Sequence, residues 1–315
     1  MAGPRPRCPG VCGRRQDRAP PAASGVSQDG RLAVGLVQMD PALGDRDRNL
    51  ERHRQWVRQA ATAGVELLVF PELSLTGYFL KDLVAESAIP LEGAAMDELR
   101  GLSDGIDVVL GAVIEEPDHR YFNASLYFSR GELVHVHRKV YLPTYGMFDE
   151  QRYFAAGDRF RSFKTGFGRA GILVCEDIWH LSSAYILSLE GVDMIICPSA
   201  SPGRGITTDE RLGTAESYGL VCRTYAQFLT TFFLYCNRVG YEDGANFWGG
   251  SMVIGPNGDI MAQQEGTDEA LVLATIDLGD VRRERLANPL LRDERIELTI
   301  NELRRVWHER TRKPF

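Results

Sequence analysis

No apolar stretch in the sequence approaches the ~20 residues that a membrane-spanning helix needs, so a helical membrane protein is excluded. Positive charge is not in surplus. Lys and Arg number 36 against 43 Asp and Glu, for a net charge of −7, and no general affinity for nucleic acid or anionic membrane is expected. No GxGxxG opens a helix and no GxxxxGK[ST] occurs; Gly249-Gly250 and Gly203–Gly205 stand isolated, which is a weak phosphate signal. Cysteine is sparse, at six residues. Cys8 and Cys12 have no second pair or His cluster to complete a metal site. Cys175, Cys197, Cys222 and Cys236 are scattered in apolar surroundings, a pattern that fits a reducing, cytoplasmic setting better than a disulfide framework. No internal repeat is apparent.

The chain has 315 residues, 44% of them hydrophobic and 25% charged, which suits one large soluble α/β unit. Residues 1–30 differ from the rest. They are rich in Pro, Gly, Ala and Arg and almost devoid of large apolar side chains, so they cannot bury enough surface to offset ordering. A disordered leader is expected there, without the apolar centre of a secretory signal.

From Arg31 onwards, strands and helices alternate. "LAVGLVQMD" reads as a buried strand. A helix follows, with Leu50, Trp56, Val57, Ala60 and Ala61 at near-helical spacing and Gly64 as its stop. "VELLVFPE" is a short strand ended by Pro71, and a helix is expected over Gly93 to Leu102. "DVVLGAVIEE" is a strand, and "YFNASLYFSRGELVHVHRKVYLP" a hairpin turned at Ser129–Glu132. "AGILVCED" reads as a strand, "IWHLSSAYILSLEG" as a helix, "VDMIICPSAS" as a strand. "AESYGLVCRTYAQFL" is helical and "TTFFLYCNRVG" a strand. "GGSMVIGPNGDIMAQQ" is a hairpin with Pro256-Asn257-Gly258 in its turn, and "EALVLATIDL" a last strand. The tail from Asp280 to Arg312 is charged and helical. The class is α/β, with too many antiparallel pairs for a simple doubly wound sheet.

Polar residues that follow buried strands are where α/β proteins place chemistry. Three stand out: Glu72 closing "LLVFPE", Lys139 in "VHVHRKVYLP" and Cys175 closing "ILVCED". Taken singly, each has a bland reading as a cap, a surface charge and a small core residue. Together they form a chemical set. A thiol, with an unperturbed pKa near ~8.5, needs a base or a nearby cation to act as a nucleophile. Glu72 can take the proton. Lys139 can hold the thiolate and then the oxyanion, with the Glu176 backbone N–H as a second donor, if a strand-to-helix turn aims both at one pocket.

In order and local context, Glu72 in "FPELSLTGY", Lys139 in "HRKVYLP" and Cys175 in "ILVCEDIWH" resemble the Glu–Lys–Cys triad of the nitrilase, or carbon–nitrogen hydrolase, superfamily. The likeness covers roughly residues 31–280. It implies a four-layer α-β-β-α sandwich, homodimers or larger homo-oligomers, and hydrolysis of a non-peptide C–N bond through a Cys thioester with no metal or organic cofactor. "PELSLTGYFLKDL", "YLPTYGMFDEQRYF", "CEDIW" and "SASP" resemble more narrowly the glutaminase domain of glutamine-dependent NAD synthetase, with Glu176-Asp177 as a subgroup signature whose carboxylates are expected to point away from the sulfur. No SGGxDS-like loop of a synthetase domain appears. The segment after "SASP" is longer than usual and carries no Lys after its glycine.

The resemblance also implies Glu150 as a second carboxylate near Lys139. Tyr145 and Phe148 are expected to line the pocket, and Glu176, Ser199 and Ser201 to face the substrate. Trp248 reads as pocket wall or core. His135, His137 and His180 invite a Cys–His alternative, but no His matches the motif set. Arg292, Asp293 and Glu294, in the tail of residues 281–315, are expected at a subunit contact. The functions that follow are an amidase acting on a small amide, with a stand-alone glutaminase-like enzyme as one form; an ammonia-supplying subunit of a separate synthetase; a nitrilase or N-carbamoyl hydrolase; and a scaffold that lost its activity, against which the intact triad argues.

Overall fold

The computed structural model describes residues 30–203 and 213–312. The expected leader, with Cys8 and Cys12, lies outside the described residues. Along β1 (Arg31–Gln38), Leu32, Val34 and Leu36 point to one face and Val37 to the other, the period-2 alternation of a pleated strand. β1 pairs antiparallel with β15 (Ala270–Asp277) and parallel with β2 (Leu67–Val69). β4 (Asp107–Glu115), β5 (Tyr121–Ser129) and β6 (Glu132–Arg138) complete the order β15-β1-β2-β4-β5-β6, and β3 (Ile89–Pro90) joins beside β4. The β5–β6 turn has Arg130 at φ 52° and Gly131 at φ 73°, two successive left-handed residues as a tight hairpin requires.

The second sheet runs β14-β13-β10-β9-β8-β7. Its strands are β7 (Ser162–Lys164), β8 (Arg169–Ile172), β9 (Met194–Ser199), β10 (Phe232–Asn237), β13 (Met252–Ile254) and β14 (Ile260–Gln263). All six residues of β9 are buried, because both faces of this strand are covered. β11 (Val239–Glu242) and β12 (Ala245–Trp248) form a separate hairpin.

Helices α1 (Arg46–Thr62) and α3 (Ala94–Arg100) lay Leu50, Ala60, Met96 and Leu99 on the outer face of the first sheet. A short α2 (Val84–Ser87) lies between them in sequence. Helices α4 (Leu181–Leu189) and α5 (Gly213–Phe228) cover the second sheet with Ala184, Leu187, Cys222 and Ala226, in one core that also joins Leu36 and Val69 to Ile172 and Ile196. The layers are therefore helix, sheet, sheet, helix, the sandwich expected. Helices α6 (Gly279–Ala287), α7 (Leu290–Asp293) and α8 (Ile296–Arg312) follow. Among the described residues no helix is long and apolar enough to cross a membrane.

Some local expectations shift. Gly64, at φ 75°, does stop α1, but Ala61 is exposed and the helix buries Asn49 and His53 instead. His53 Nε2 meets Ser74 Oγ at 3.0 Å and Asn49 donates to Ala42 O at 2.7 Å, so polar groups that looked solvent-facing are satisfied inside. The run expected as one strand through Gly240 breaks at Arg238 into β10 and β11. The strand before Cys175 ends at Ile172, and the following α-helix starts only at Leu181.

Candidate active site

Between β8 and α4 the chain makes a 3₁₀ turn over Cys175–Trp179. Cys175 opens it at φ 46°, a left-handed conformation that costs a non-glycine residue ~1–3 kcal/mol and persists only where its surroundings impose it. The constraint is visible in Asp177, which is fully buried. Its Oδ2 accepts from Val174 N at 3.0 Å and lies 2.8 Å from His137 Nε2, while its Oδ1 accepts from Val140 N and Tyr141 N at 3.0 Å each. One carboxylate thus ties the cysteine turn to the chain on both sides of Lys139. The Asp177 side chain points away from the sulfur and towards backbone donors, as the sequence suggested, whereas Glu176, expected to do the same, lines the cavity that Cys175 lines.

Lys139 is completely buried. Its Nζ donates to Glu72 Oε1 at 2.8 Å and to Glu150 Oε1 at 2.6 Å. Burial alone would lower its pKa, but the carboxylates of Glu150 and Glu72 outweigh it and hold the ammonium well above its ordinary value. Glu72 is fixed at both oxygens: Asn123 Nδ2 donates to Oε1 at 2.7 Å and Ala200 N to Oε2 at 2.8 Å. Glu150 Oε1 also accepts from the Tyr78 hydroxyl, whereas its buried Oε2 has no hydrogen-bond partner among the described residues. Burial, with Glu72 nearby, raises the Glu150 pKa to about 7 against the pull of Lys139.

Cys175 is buried, with Sγ 3.3 Å from the Tyr218 hydroxyl. Burial and the Glu72 charge push its pKa up to about 12, and Lys139 only partly opposes them. The resting group is therefore a thiol. Desolvation and the Glu72 charge outweigh the Lys139 cation.

A cavity of about 250 Å³ opens over the sulfur. Tyr78, Tyr145, Phe148, Trp179 and Tyr218 wall it, and Glu176 and Ser201 also reach it. The Tyr145 hydroxyl donates to Glu176 Oε2 at 2.8 Å. Ser199 is not in this lining. It ends β9 with its hydroxyl bonded to the Cys175 thiol and 3.5 Å from the Tyr235 hydroxyl. Trp248 is core too, with its indole N–H on Ser201 Oγ at 3.3 Å. A larger groove of about 480 Å³ runs past Arg120, Arg138 and Arg159, but each of these arginines is already paired with a carboxylate and no cysteine or serine is among the described residues that line it.

The fold therefore gathers Glu72, Lys139 and Glu150 into one contact cluster, with Cys175 close enough to feel the charges of the first two. Tyr145, Phe148, Glu176 and Ser201 share the cavity with the sulfur. Among the described residues, no histidine bonds to Cys175. His137 serves Asp177, His180 stacks on Tyr141 with ring centroids 3.4 Å apart, and His135 stacks on Phe163. Sequence reasoning missed Tyr78, Asn123 and Tyr218. Asn123 was visible as an amide inside an apolar strand, and Tyr78 as the end of "LSLTGY". Tyr218, on an ordinary-looking helix, carried no signal.

Residues 33–285 match the carbon–nitrogen hydrolase family. The chain belongs to that family. A glutamine-dependent NAD(+) synthetase of Thermotoga maritima is 34% identical over 82% of this chain and 44% of its own length. A nitrilase of Pyrococcus abyssi is 29% identical over 84% of this chain and 98% of its own. Among solved structures, the carbon–nitrogen hydrolase of Helicobacter pylori superposes with a TM-score of 0.77 at 25% identity, over 87% of this chain and 99% of that one. The chain spans a little under half the length of the synthetase relatives it matches most strongly. As a carbon–nitrogen hydrolase it is an enzyme, related both to glutamine-hydrolysing domains of NAD synthetases and to nitrilases and amidases.

Proposed function

We propose that this hydrolase is an amidase that releases ammonia from a small carboxamide bearing a cationic end, of which glutamine is the model. The observation that carries the reading is one small cavity holding both a Cys175 thiol backed by the Glu72–Lys139–Glu150 cluster and the lone carboxylate of Glu176. Burial raises the Glu176 pKa, so its ionised form lacks solvation that a substrate ammonium would supply. The aromatic walls suit a short aliphatic chain between the two ends.

In this mechanism Glu72 takes the thiol proton as Sγ attacks the amide carbon. A pKa of about 12 leaves almost no standing thiolate at neutral pH, so the base must act in the same step. The oxyanion is held by Lys139 Nζ and the Glu176 backbone N–H. Glu72 returns the proton to the leaving nitrogen, ammonia departs, and a thioester remains on Cys175. Glu72 then deprotonates water, which attacks the thioester and frees the acid and the thiol. Glu150 keeps the Lys139 ammonium in place. The four described cysteines are free and buried, which supports a reducing, cytoplasmic setting.

The test is ammonia release from glutamine, asparagine, aliphatic amides, N-carbamoyl compounds and nitriles. The reading expects glutamine to exceed a chain-matched amide lacking the amino group, and Glu176→Gln to erase that preference. Turnover of nitriles or carbamoyl compounds in preference to amides would sink it. The name of the Thermotoga relative supports a second reading, an ammonia-supplying subunit of a separate synthetase. Glutamine turnover that rises only on adding an ammonia-dependent NAD synthetase would favour it.

A further inference from the structure

Two hydroxyls meet the Cys175 sulfur among the described residues. Tyr218, on α5, brings its hydroxyl to 3.3 Å from Sγ, and Ser199, at the end of β9, bonds the same thiol through its own hydroxyl. Both side chains are buried. Neither has a part in the proton transfers or in the oxyanion contacts described above.

Each hydroxyl oxygen in turn accepts from a second donor. The Tyr218 oxygen accepts from the indole N–H of Trp179, whose ring stands at 84° to the phenol ring with centroids 4.9 Å apart. The Ser199 oxygen accepts from the Tyr235 hydroxyl at 3.5 Å. An indole N–H can only donate, so the Tyr218 hydrogen is left for the sulfur, and the Ser199 hydrogen is left for it in the same way. Two chains thus converge on Sγ, one from Trp179 through Tyr218 and one from Tyr235 through Ser199. Burial holds both phenols well above their ordinary pKa, so they act as donors and not as bases.

A thiol can share such a bond in either sense, whereas a thiolate can only accept. As the sulfur loses its proton, the two contacts change from weak neutral bonds to charge-assisted ones, which are roughly twice as strong. A contact that strengthens on the way to the transition state speeds the step, and one equally strong beforehand does not.

We infer that Tyr218 and Ser199 are catalytic residues of this site, a pair of hydroxyl donors that stabilise charge on the Cys175 sulfur. Both keep their own protons. The S–H proton goes to Glu72 while the sulfur electron pair forms the bond to the amide carbon. When water has added to the thioester, the C–S bond breaks, its electron pair returns to the sulfur between the same two donors, and the proton held on Glu72 follows. The inference rests on Cys175 as the nucleophile and not on the choice of amide.

The test is the rate at which iodoacetamide alkylates Cys175 near pH 8, followed by peptide mass, with far-UV circular dichroism to check folding. Tyr218→Phe keeps the ring against Trp179 and Tyr235 and removes the hydroxyl alone. It should slow alkylation by ~10-fold, and Ser199→Ala should slow it by a similar factor. Tyr225, on the same helix, donates to Ile178 O at 2.8 Å in the cysteine turn, so Tyr225→Phe removes a buried hydroxyl from α5 without touching the sulfur and should leave the rate near wild type. Faster alkylation in Tyr218→Phe would mean that the phenol accepts from the S–H and protects the thiol, which overturns the inference. An unchanged rate, or an equal fall in Tyr225→Phe that reduces Tyr218 to a support of α5, would overturn it too. A wild-type Cys175 that iodoacetamide leaves untouched would strike at the nucleophile itself, and the inference would fall with it.

Discussion

Among the described residues, Lys139 and Arg238 are buried cations, each between two carboxylates, and the two are used differently. Arg238 donates to Asp40 at 2.9 Å and to Glu242, and its guanidinium lies 4.1 Å from the centroid of Phe247. Glu242 also accepts the backbone N–H groups of Tyr78 and Phe79. Every arm of this cluster ends on backbone, ring or charge, so it fastens the β11–β12 hairpin to the loop that carries Tyr78. Lys139 is just as buried, but its surroundings are left unfinished. Glu150 keeps an unbonded oxygen, Glu72 faces a thiol, and a cavity opens beside them. Burial of charge is thus no mark of chemistry by itself. Spare bonding capacity next to a nucleophile is. Tyr78 belongs to both clusters, with its N–H on Glu242 and its hydroxyl on Glu150.

The contrast can be broken by substitution. The largest effect is expected for Cys175→Ala, which should lower turnover by at least ~10⁴-fold with little change in melting temperature, while Cys197→Ala, Cys222→Ala and Cys236→Ala keep most of it. Iodoacetamide mapping in which Cys175 stays inert and another of these cysteines reacts would contradict this. Glu72→Gln should cost ~10²–10⁴-fold in kcat with KM nearly level. An unchanged kcat would remove Glu72 from the role of base.

The paired test compares Lys139→Met with Arg238→Met. Loss of Arg238 leaves Glu242 buried and uncompensated, at ~3–5 kcal/mol, or ~5–8 °C in Tm for a chain of this size. The surviving folded fraction should keep its specific activity. Lys139→Met should do the reverse, abolishing turnover with a smaller fall in Tm, because Glu150, with a pKa of about 7, takes up a proton at little cost. Equal Tm losses in calorimetry would erase the distinction.

The smallest effect concerns pH. The folded-state pKa of Glu150 is raised from 4.5 to about 7. Between those values the unfolded chain has released this proton and the folded chain retains it. Glu150 therefore makes stability fall as pH rises through that window, and adds no slope below or above it. Relative to Glu150→Gln, the wild-type Tm should drop by ~3 °C or more between pH 5 and pH 8. A constant difference would mean the carboxyl is not perturbed.

Much of this was legible in the sequence. The long alternating runs set the strands of both sheets, and Glu72, Lys139 and Cys175 stood out because each ends an apolar run with a reactive group. The short strands β7 and β12 were not legible, since tertiary pairing and not local pattern makes them. Nor was the break at Arg238, where an apolar-looking run hides a charge neutralised from 198 residues away in Asp40. Tyr218 and the pairing of Asp177 with Val140 were hidden for the same reason: they are facts of proximity.

Asp177 also bears on how activity returns after unfolding. Its acceptors join the cysteine turn, which follows a strand of the second sheet, to residues 137–141 at the edge of the first, and Glu72 reaches across to Ala200 in the same way. Neither sheet alone holds a complete site. Cys175 meets the Glu72–Lys139 cluster only when the sheets dock, so recovery of turnover after unfolding is expected to follow docking of the sheets and not the return of secondary structure alone.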